Sequence, residues 1–445
     1  MKNLKIKDLA KRIGQKSNDD RKIKGYYCDS REIEEGGFFF ALPGQKRDGH
    51  EFLKEISEKG AYGALVSKSY QGADFGLTLL KVEDVIISLQ KLARDLLEES
   101  KTKIAAITGS LGKTTTKDFV FTILEKKFRA SKSPMNKNTQ VSLPLSLLNR
   151  EGNEEFMVLE MGMTLKGHIQ KLTQIAPPDY SMITMVSVSH MEFFPTGAEG
   201  IAEAKAEILN DKKTQKVLIP YDFLQYPHLL RDVSAKIMTF SQDKVEADYF
   251  LSERDGKFII TEKEKESPLF SLPFTEKHFV YDAFAAICFS RMIGLSYKNI
   301  LPRLKELKTP HMRFEKVEKK GVLFINDAYN AAPLSMRMAL SQMPEPKNGG
   351  KKIAVLGEMR ELGPITDESH REIGRFALNF VDHLLCLGEK CAWVCKEFES
   401  GGKKAELFLS HETLLKKLRE IVTEKDVVLI KGSRIMGMEK ILELF

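Results

Sequence analysis

The segment "AAITGSLGKTTTKDF", residues 105–119, combines residue types that bind phosphate. A strand-like apolar run leads into two glycines, and a helix is predicted to begin near Lys113 or Thr114. Glycine-rich turns point backbone N–H groups at an anion, and the helix N-terminus adds positive potential. Lys113 would then reach the nucleotide phosphates, and the Thr114 hydroxyl would hold Mg²⁺. The usual pattern has another glycine where this chain has Ile107, so a turn that binds nothing is the alternative.

Two further side chains follow strand-like runs and could complete a metal site. Glu160 closes "FMVLE" and should emerge at the carboxyl end of a sheet, where ligands of open α/β folds bind. It would join Thr114 in a Mg²⁺ shell. His190 follows the run "MITMV" in the segment "SVSHMEFF" and is a potential ligand or phosphate contact. The alternatives are a solvated loop glutamate and a histidine with a purely structural role.

The segment "GIAEAKAEIL" places a lysine inside an apolar helical stripe, which consists of Ile201, Lys205, Ile208 and Leu209. A lysine in such a stripe must either extend its ammonium to the surface or lose its charge to its surroundings. The stripe alone leaves both interpretations open.

Strand-length apolar runs alternate with helical segments, which predicts an α/β fold with parallel sheets and right-handed crossovers. One set of runs lies at 104–108, 156–160, 182–186 and 216–219, and a second set at 322–327, 353–357, 383–387 and 426–430. Pro310 is a plausible break between the sets. Because 445 residues exceed what one core supports, domain boundaries are predicted near residues 100 and 310.

The composition is that of a soluble globular protein, with 42% hydrophobic and 29% charged residues. The N-terminus lacks the apolar stretch of a secretory signal, and no run could cross a bilayer, so we expect a cytoplasmic protein without membrane insertion. Five cysteines without a C-x-x-C pair indicate free thiols. The formal charge of +7 arises from interleaved lysines and glutamates, which argues against nucleic-acid binding and suits small anionic substrates.

The loop "TGSLGKTT" resembles that of the Mur ligases, the ATP-dependent amide-forming enzymes of peptidoglycan synthesis, in which the shortened phosphate loop is normal. The resemblance covers the whole chain and implies three domains. These are a small α/β UDP-substrate-binding domain at 1–100, a central ATP-binding domain with a parallel sheet at 101–310, and a C-terminal Rossmann-like ligase domain at 311–445.

The resemblance also implies the site residues. The motifs "DSR" and "DGH" would bind the UDP-substrate through Asp29, Ser30, Arg31, Asp48, Gly49 and His50. The implied ATP site consists of Gly109, Ser110, Leu111, Gly112, Lys113, Thr114, Thr115, Asn136, His278, Arg313 and Asp327. The implied Mg²⁺ ligands are Thr114, Glu160, His190 and Lys205, the last as a carbamate. Catalytic roles fall on Lys113, Lys205, His190 and Asp327.

Some positions depart from the family pattern. Phe279 and Asp282 stand where asparagines are usual near the adenine, and Met185 also replaces an asparagine. In the C-terminal domain, "INDAYNAAPLSM" resembles a family motif in which Asn326 replaces an aspartate.

The chain lacks the DNPR motif of the family's tripeptide synthetase, so the resemblance implies a dipeptide as the acceptor. The implied activity joins D-alanyl-D-alanine to the terminal carboxylate of UDP-N-acetylmuramoyl-tripeptide through an acyl phosphate, with ATP as co-substrate and Mg²⁺, in a monomeric enzyme. Three other functions remain open at this point. They are a folate polyglutamate synthetase, a regulatory or transport ATPase, and a noncatalytic scaffold that kept a binding loop.

Overall fold

The computed structural model describes residues 3–44, 47–187, 191–194, 196–347 and 349–445. Within this part of the chain the strands form three sheets, which lie at 25–82, 103–266 and 315–431. The predicted α/β class is therefore confirmed, whereas the domain boundaries near residues 100 and 310 stay predictions. Among the helices of the described residues, none combines the length and apolarity that a bilayer crossing requires.

The N-terminal part is built on a parallel sheet. Its elements are α1 (Ile6–Arg12), β1 (Gly25–Tyr27), β2 (Gly37–Phe40), α2 (Leu53–Glu58), β3 (Gly63–Ser67), β4 (Thr78–Val82) and α3 (Val85–Glu98). The strands are in the order β1-β2-β3-β4. Alternate side chains of a strand face opposite sides of its sheet, so Phe38 and Phe40 pack with α1 and α3 while Phe39 packs against α2.

The central part surrounds a larger sheet in the order β13-β12-β11-β10-β9-β8-β5-β7-β6. Its strands are β5 (Lys103–Thr108), β6 (Ala130–Lys132), β7 (Phe156–Glu160), β8 (Tyr180–Ile183), β9 (Lys216–Pro220), β10 (Lys236–Ser241), β11 (Tyr249–Arg254), β12 (Lys257–Glu262) and β13 (Lys265–Glu266). Its helices are α4 (Lys113–Leu124), α5 (Ser142–Leu148), α6 (His168–Ile175), α7 (Ala198–Ala206), α8 (Lys277–Ile293) and α9 (Tyr297–Ile300). Because β5 pairs with β7 on one side and β8 on the other, the loop after β5 opens where such sheets bind ligands.

Two sequence expectations for the central sheet need correction. The strand expected at 182–186 is β8, which ends at Ile183, because the following residues bond to the phosphate-loop segment instead of extending the strand. The prediction of parallel strands also missed the antiparallel extension from β11 through β12 to β13.

The C-terminal part has the sheet order β14-β15-β19-β16-β17-β18. Its strands are β14 (Glu315–Lys319), β15 (Val322–Asp327), β16 (Lys352–Gly357), β17 (His383–Leu387), β18 (Lys404–Phe408) and β19 (Val427–Lys431). Its helices are α10 (Pro333–Ser341), α11 (Thr366–Ala377), α12 (Ala392–Ser400), α13 (His411–Ile421) and α14 (Glu439–Leu444). The last strand, β19, lies in parallel between β15 and β16, so Asp327 and Lys431 are register partners.

One apolar cluster joins the N-terminal and central parts. Leu89, Leu92 and Leu96 of α3 are buried in the same cluster as leucines of α5. Asn149 adds a polar link, because its side chain accepts from Tyr26 N at 2.9 Å and donates to Tyr26 O at 2.8 Å. These contacts fix the N-terminal sheet beside the central one.

Candidate active site

The glycine-rich loop connects β5 to α4, as the sequence predicts. Gly109 has φ 154° and Gly112 has φ 79°, a conformation that side-chain-bearing residues rarely adopt. A Cβ atom at Gly109 would collide with the Thr184 side chain, and one at Gly112 with the Asp282 carboxylate. Both glycines are therefore required by the local backbone and by close neighbours.

The segment after β8 holds this loop in place. Ser110 N donates to Met185 O at 2.8 Å, and the Ser110 hydroxyl bonds both the N–H and the carbonyl of Ser187 at 2.9 Å. The Thr184 hydroxyl donates to Leu111 O at 2.5 Å. These bonds fix the backbone of the loop against the segment that follows β8.

Lys113 begins α4 and extends back over the loop. Its Nζ donates to Gly109 O at 2.9 Å and to Ser110 O at 3.3 Å. Burial lowers the pKa of Lys113, while the nearby Glu160 carboxylate opposes that shift. A cation held inside a turn of this kind is suited to contact phosphate oxygens.

Thr114 and Glu160 meet at the carboxyl ends of β5 and β7. Thr114 Oγ1 donates to Glu160 Oε2 at 2.6 Å, and Asn138 Nδ2 donates to Glu160 Oε1 at 2.7 Å. Glu160 is almost fully buried, so the solvated alternative is wrong for its position. A hydroxyl and a carboxylate are oxygen donors of the kind that Mg²⁺ prefers, and the residues present therefore fit that ion.

The C-terminal part reaches the same place through Arg313. Its Nη2 donates to Thr114 Oγ1 at 3.0 Å, and its guanidinium lies over the Tyr329 ring at 4.1 Å. Phe314 N donates to Asp327 Oδ1 at 3.1 Å, which holds the backbone next to Arg313. Asp327 is in turn bound by Lys431, whose Nζ lies 2.6 Å from Asp327 Oδ2.

A cleft of about 1230 Å³ runs between the central and C-terminal parts. Residues expected in the ATP site line it from both sides, including Asn136, His278, Arg313 and Asp327. Its volume exceeds the roughly 300–1,000 Å³ typical of small-molecule sites, so it has room for more than one substrate.

Two residues of α8, His278 and Asp282, line the cleft, and Asp282 stands where the family has an asparagine. His278 packs against Phe279 with ring centroids 4.0 Å apart, and burial lowers its pKa. Asp282 is buried beside Gly112, and burial raises the pKa of its carboxyl to about 8. A carboxyl that is largely protonated at neutral pH can both donate and accept a hydrogen bond, as the asparagine side chain does.

Lys205 does not reach the surface. Its side chain is 2% exposed near the end of α7, and within the described residues no hydrogen-bond or ion-pair partner faces its ammonium. Burial, and then the charge of Lys113, lower its pKa well below the ordinary value. The interpretation in which the Lys205 side chain extends its ammonium to the surface is therefore wrong. The helix α7 ends at Ala206, one residue beyond Lys205, and a 3-10 turn follows at Glu207–Leu209.

Two family models match this chain. A model described as "Mur ligase middle domain" matches residues 107–290, and one described as "Mur ligase, glutamate ligase domain" matches residues 312–434. The chain belongs to the Mur ligase family. The UDP-N-acetylmuramoyl-tripeptide--D-alanyl-D-alanine ligase of Bacillus subtilis (strain 168) is 34% identical over 95% of this chain and 93% of its own length.

Solved structures of Mur ligases have the same fold. MurF from Acinetobacter baumannii superposes with a TM-score of 0.85 at 27% identity, covering 100% of this chain and 98% of that one. The MurF ligase from Thermotoga maritima in complex with ADP gives a TM-score of 0.77 at 32% identity, covering 95% and 96%. The three-domain architecture expected of a Mur ligase is therefore present.

The N-terminal residues that the family resemblance assigns to the UDP-substrate lie in two turns. Arg31 forms an ion pair with Asp29 at 2.5 Å, which lowers the pKa of Asp29 to about 2, and the Arg31 side chain is 86% exposed. Ser30 is buried and donates to Glu55 at 3.2 Å. Arg31 is thus the member of this turn that is available to a ligand.

The second N-terminal turn is organised by internal bonds. Asp48 caps the 3-10 helix Gly49–Phe52, and its carboxylate lies 2.5 Å from His50 Nδ1. His50 Nε2 accepts from Ser67 N at 2.9 Å. A Cβ atom at Gly49 would collide with the backbone of Leu42. The assignment of these residues to UDP binding stays a prediction.

His190 lies outside the described residues, so its predicted metal and catalytic roles stay predictions. Two further buried lysines were not predicted from the sequence. Lys117 follows Lys113 by one helical turn, and Lys431 is the last residue of β19. The burial of Lys117 could have been predicted from its position, because it lies one turn beyond the phosphate-loop lysine on the helix face toward the sheet.

Proposed function

We propose that this chain is an ATP-dependent ligase that joins D-alanyl-D-alanine to the terminal carboxylate of a UDP-N-acetylmuramoyl-tripeptide in peptidoglycan precursor synthesis. One observation carries the proposal: the phosphate loop and the strand ends of the C-terminal sheet face one cleft, and Arg313 spans it to Thr114. The names of the relatives, together with the ADP complex of the Thermotoga maritima protein, support the same activity.

The reaction begins with phosphoryl transfer. A carboxylate oxygen of the tripeptide attacks the γ-phosphorus of ATP, the bond to the ADP oxygen breaks, and an acyl phosphate forms. Lys113 and Arg313 offset the charge that develops on the transferred group. Thr114 and Glu160 would hold Mg²⁺, which neutralises phosphate charge when bound.

The second step forms the amide bond. The amine of the dipeptide attacks the acyl carbon, inorganic phosphate leaves, and the amine loses a proton. An acyl phosphate hydrolyses in water, so the cleft must exclude solvent while the intermediate exists. The contact of Arg313 with Thr114, which closes the C-terminal part onto the loop, serves this purpose.

Arginines of the C-terminal part would bind the carboxylate of the acceptor dipeptide. Arg360 and Arg434 line the cleft, and they lie on the loops that follow β16 and β19. Ser433 links the two loops, because its hydroxyl accepts a hydrogen bond from Arg360 N at 2.8 Å. Glu358 orients Arg360 through an ion pair at 2.9 Å. An arginine fork suits a carboxylate, so Arg360→Gln should raise the KM for the dipeptide about tenfold and leave the KM for ATP unchanged.

Lys205 acts in this scheme as a carbamate. Burial lowers the pKa of the Lys205 amine and so favours its uncharged, nucleophilic form, whose addition to CO₂ gives a carbamate and releases one proton. A carbamate at this position would contribute an acidic oxygen donor to the Mg²⁺ site.

The remaining assignments follow from the same activity. The N-terminal part would bind the UDP moiety, with Arg31 as the exposed cation and His50 in the neighbouring turn. The enzyme would act as a cytoplasmic monomer on small-molecule substrates, without nucleic acid or membrane.

ATP turnover and product mass measured with each combination of substrates test the proposal. The ligase should hydrolyse little ATP until the tripeptide nucleotide and the dipeptide are both present, and the product should gain the mass of the dipeptide less one water. ATP hydrolysis without either substrate would indicate an ATPase, glutamylation of a folate would indicate the related synthetase, and ATP binding without turnover would indicate a noncatalytic protein. Lys113→Ala serves as the control with low turnover, because it removes the lysine of the phosphate loop.

A further inference from the structure

Lys117 is a fully buried cation that the proposed reaction does not use. It lies on α4 and its side chain has no exposed surface. Its Nζ donates to Ser133 O at 2.8 Å and to Met135 O at 2.6 Å, and Asp118 lies 3.5 Å away. Burial of an ammonium is costly unless its donors are satisfied, so these two carbonyls set its position.

The carbonyls belong to the stretch 133–138, which follows β6 and is called here the 133–138 segment. Its backbone is strained at Met135, a non-glycine residue with φ 41° and an exposed side chain. A strained backbone persists only where its surroundings hold it, and the bond from Lys117 to Met135 O is such a restraint. Lys117 therefore fixes the conformation of the segment from inside the protein.

The 133–138 segment leads directly to the proposed metal site. Ser133 Oγ accepts from Glu160 N at 3.3 Å, and Ser133 N donates to Val158 O at 3.0 Å. At the other end of the segment, Asn138 Nδ2 donates to Glu160 Oε1 at 2.7 Å, and the other carboxylate oxygen accepts from Thr114. The segment thus contacts Glu160 from two directions.

We propose that Lys117 is a positioning residue: it holds the 133–138 segment so that Asn138 fixes the Glu160 carboxylate against Thr114 for the metal–nucleotide complex. The inference rests on the proposed function. A direct contact of Lys117 with phosphate is not favoured, because Lys117 is not among the residues that line the cleft and its donors face the segment's carbonyls. Its effect should therefore concern the metal more than the nucleotide.

The test measures the affinity for ADP by calorimetry with and without Mg²⁺, so that it needs no ligation. Lys117→Met keeps the length of the side chain and removes its hydrogen bonds. We expect the gain in ADP affinity that Mg²⁺ gives to fall about tenfold, as for other groups that orient metal ligands. The affinity without Mg²⁺ should change by less than about twofold, because the glycine loop and Lys113 are untouched. Lys117→Arg, which can still donate to both carbonyls, should recover part of the gain.

Lys132→Met is the matched control. Lys132 pairs with the same Asp118 carboxylate at 2.8 Å but is one-third exposed and makes no bond to the 133–138 segment. Its replacement should leave the Mg²⁺ gain unchanged. An equal loss in Lys132→Met, or an unchanged gain in folded Lys117→Met, overturns the proposal.

Asn138→Ala keeps the inference testable if Lys117→Met does not fold. This variant removes the bond to Glu160 and leaves the buried bonds of Lys117 intact. It should show the same loss of the Mg²⁺ gain, and a normal gain would contradict the proposed chain of contacts. A wild type whose ADP affinity does not respond to Mg²⁺ contradicts the metal site itself, and ligation measured separately shows whether the proposed function fails with it.

Discussion

Replacement of Asp327 by asparagine separates ligation from substrate binding. The carboxylate ends β15 and has two partners, Lys431 Nζ at 2.6 Å and Phe314 N at 3.1 Å. Lys431 is 2% exposed, and its other acceptor is the neutral Asn330 carbonyl at 2.9 Å. The variant therefore leaves a buried ammonium beside a neutral amide, whose single oxygen cannot replace both carboxylate contacts. Loss of one partner of a buried pair costs about 3–5 kcal/mol, and the partial exposure of Asp327 places this case near the lower limit.

The effect on the reaction follows from the second bond. A hydrogen bond to a charged group contributes about 1.5–3 kcal/mol, and its loss frees the backbone next to Arg313. If this hydrogen bond stabilises the transition state by that free energy, its loss should lower the ligation rate about 10- to 150-fold. The affinity for the tripeptide nucleotide should stay within about threefold, because the N-terminal part is expected to hold that substrate.

The double variant Asp327→Asn/Lys431→Met distinguishes a structural role from a catalytic one. Removal of the stranded ammonium should restore hydrogen-exchange protection of β15 and β19, which the single variant loses. Ligation, measured as product formation at saturating substrates, should stay low in both variants. Recovery of ligation together with protection would refute the reasoning, as would an equal loss of tripeptide-nucleotide binding and ligation in the single variant.

Lys113→Ala should stay folded, with an unchanged circular dichroism spectrum, and lose at least about 10²-fold in turnover because a charge clamp is removed from the transition state; near-normal turnover would contradict the phosphate-loop assignment. Lys205→Ala should lose most activity and regain part of it with acetate or formate, and ¹³C-bicarbonate NMR should detect a carbamate in the wild type that the variant lacks. A wild-type spectrum without that signal would end the idea. The buried His370 accepts from Met359 N at 3.1 Å, and burial lowers its pKa. Its contribution to stability is therefore present above about pH 6.5 and is lost as the pH falls below that value. The loss of thermal stability between pH 7.5 and 5.5 should accordingly be smaller in His370→Asn, and an identical loss would exclude His370 as its source.

Much of the fold could be predicted because its signals are local. The runs that became β5, β7, β9, β15 and β17 lie within a residue of their predicted bounds, since a buried strand needs a short apolar stretch wherever it lies in the sheet. Prediction failed where a strand's end depends on distant partners. The run at 182–186 is apolar except for Thr184, yet β8 ends at Ile183 because Met185 O accepts from the phosphate loop.

The site residues likewise divide into those that local sequence predicts and those that depend on distant contacts. Gly109, Gly112, Lys113 and Thr114 were recognisable from their spacing, because a phosphate loop is a contiguous strand, turn and helix. Lys205 was recognisable as an anomaly but ambiguous, because a helical stripe does not show whether another element covers it. The structure shows that the residue as a whole is 2% exposed.

The sequence by itself determined the local chemistry of this protein: the phosphate-binding turn, the carboxylate that ends β7, and the alternation of strands and helices. Each depends on residues that are neighbours in the chain, so their types and spacing are sufficient. Only the tertiary structure decided which distant groups meet. Arg313 touches Thr114 across 199 positions of sequence, and Lys117 finds its acceptors in another segment. Such contacts depend on how whole domains and loops pack, which no local pattern of residues records.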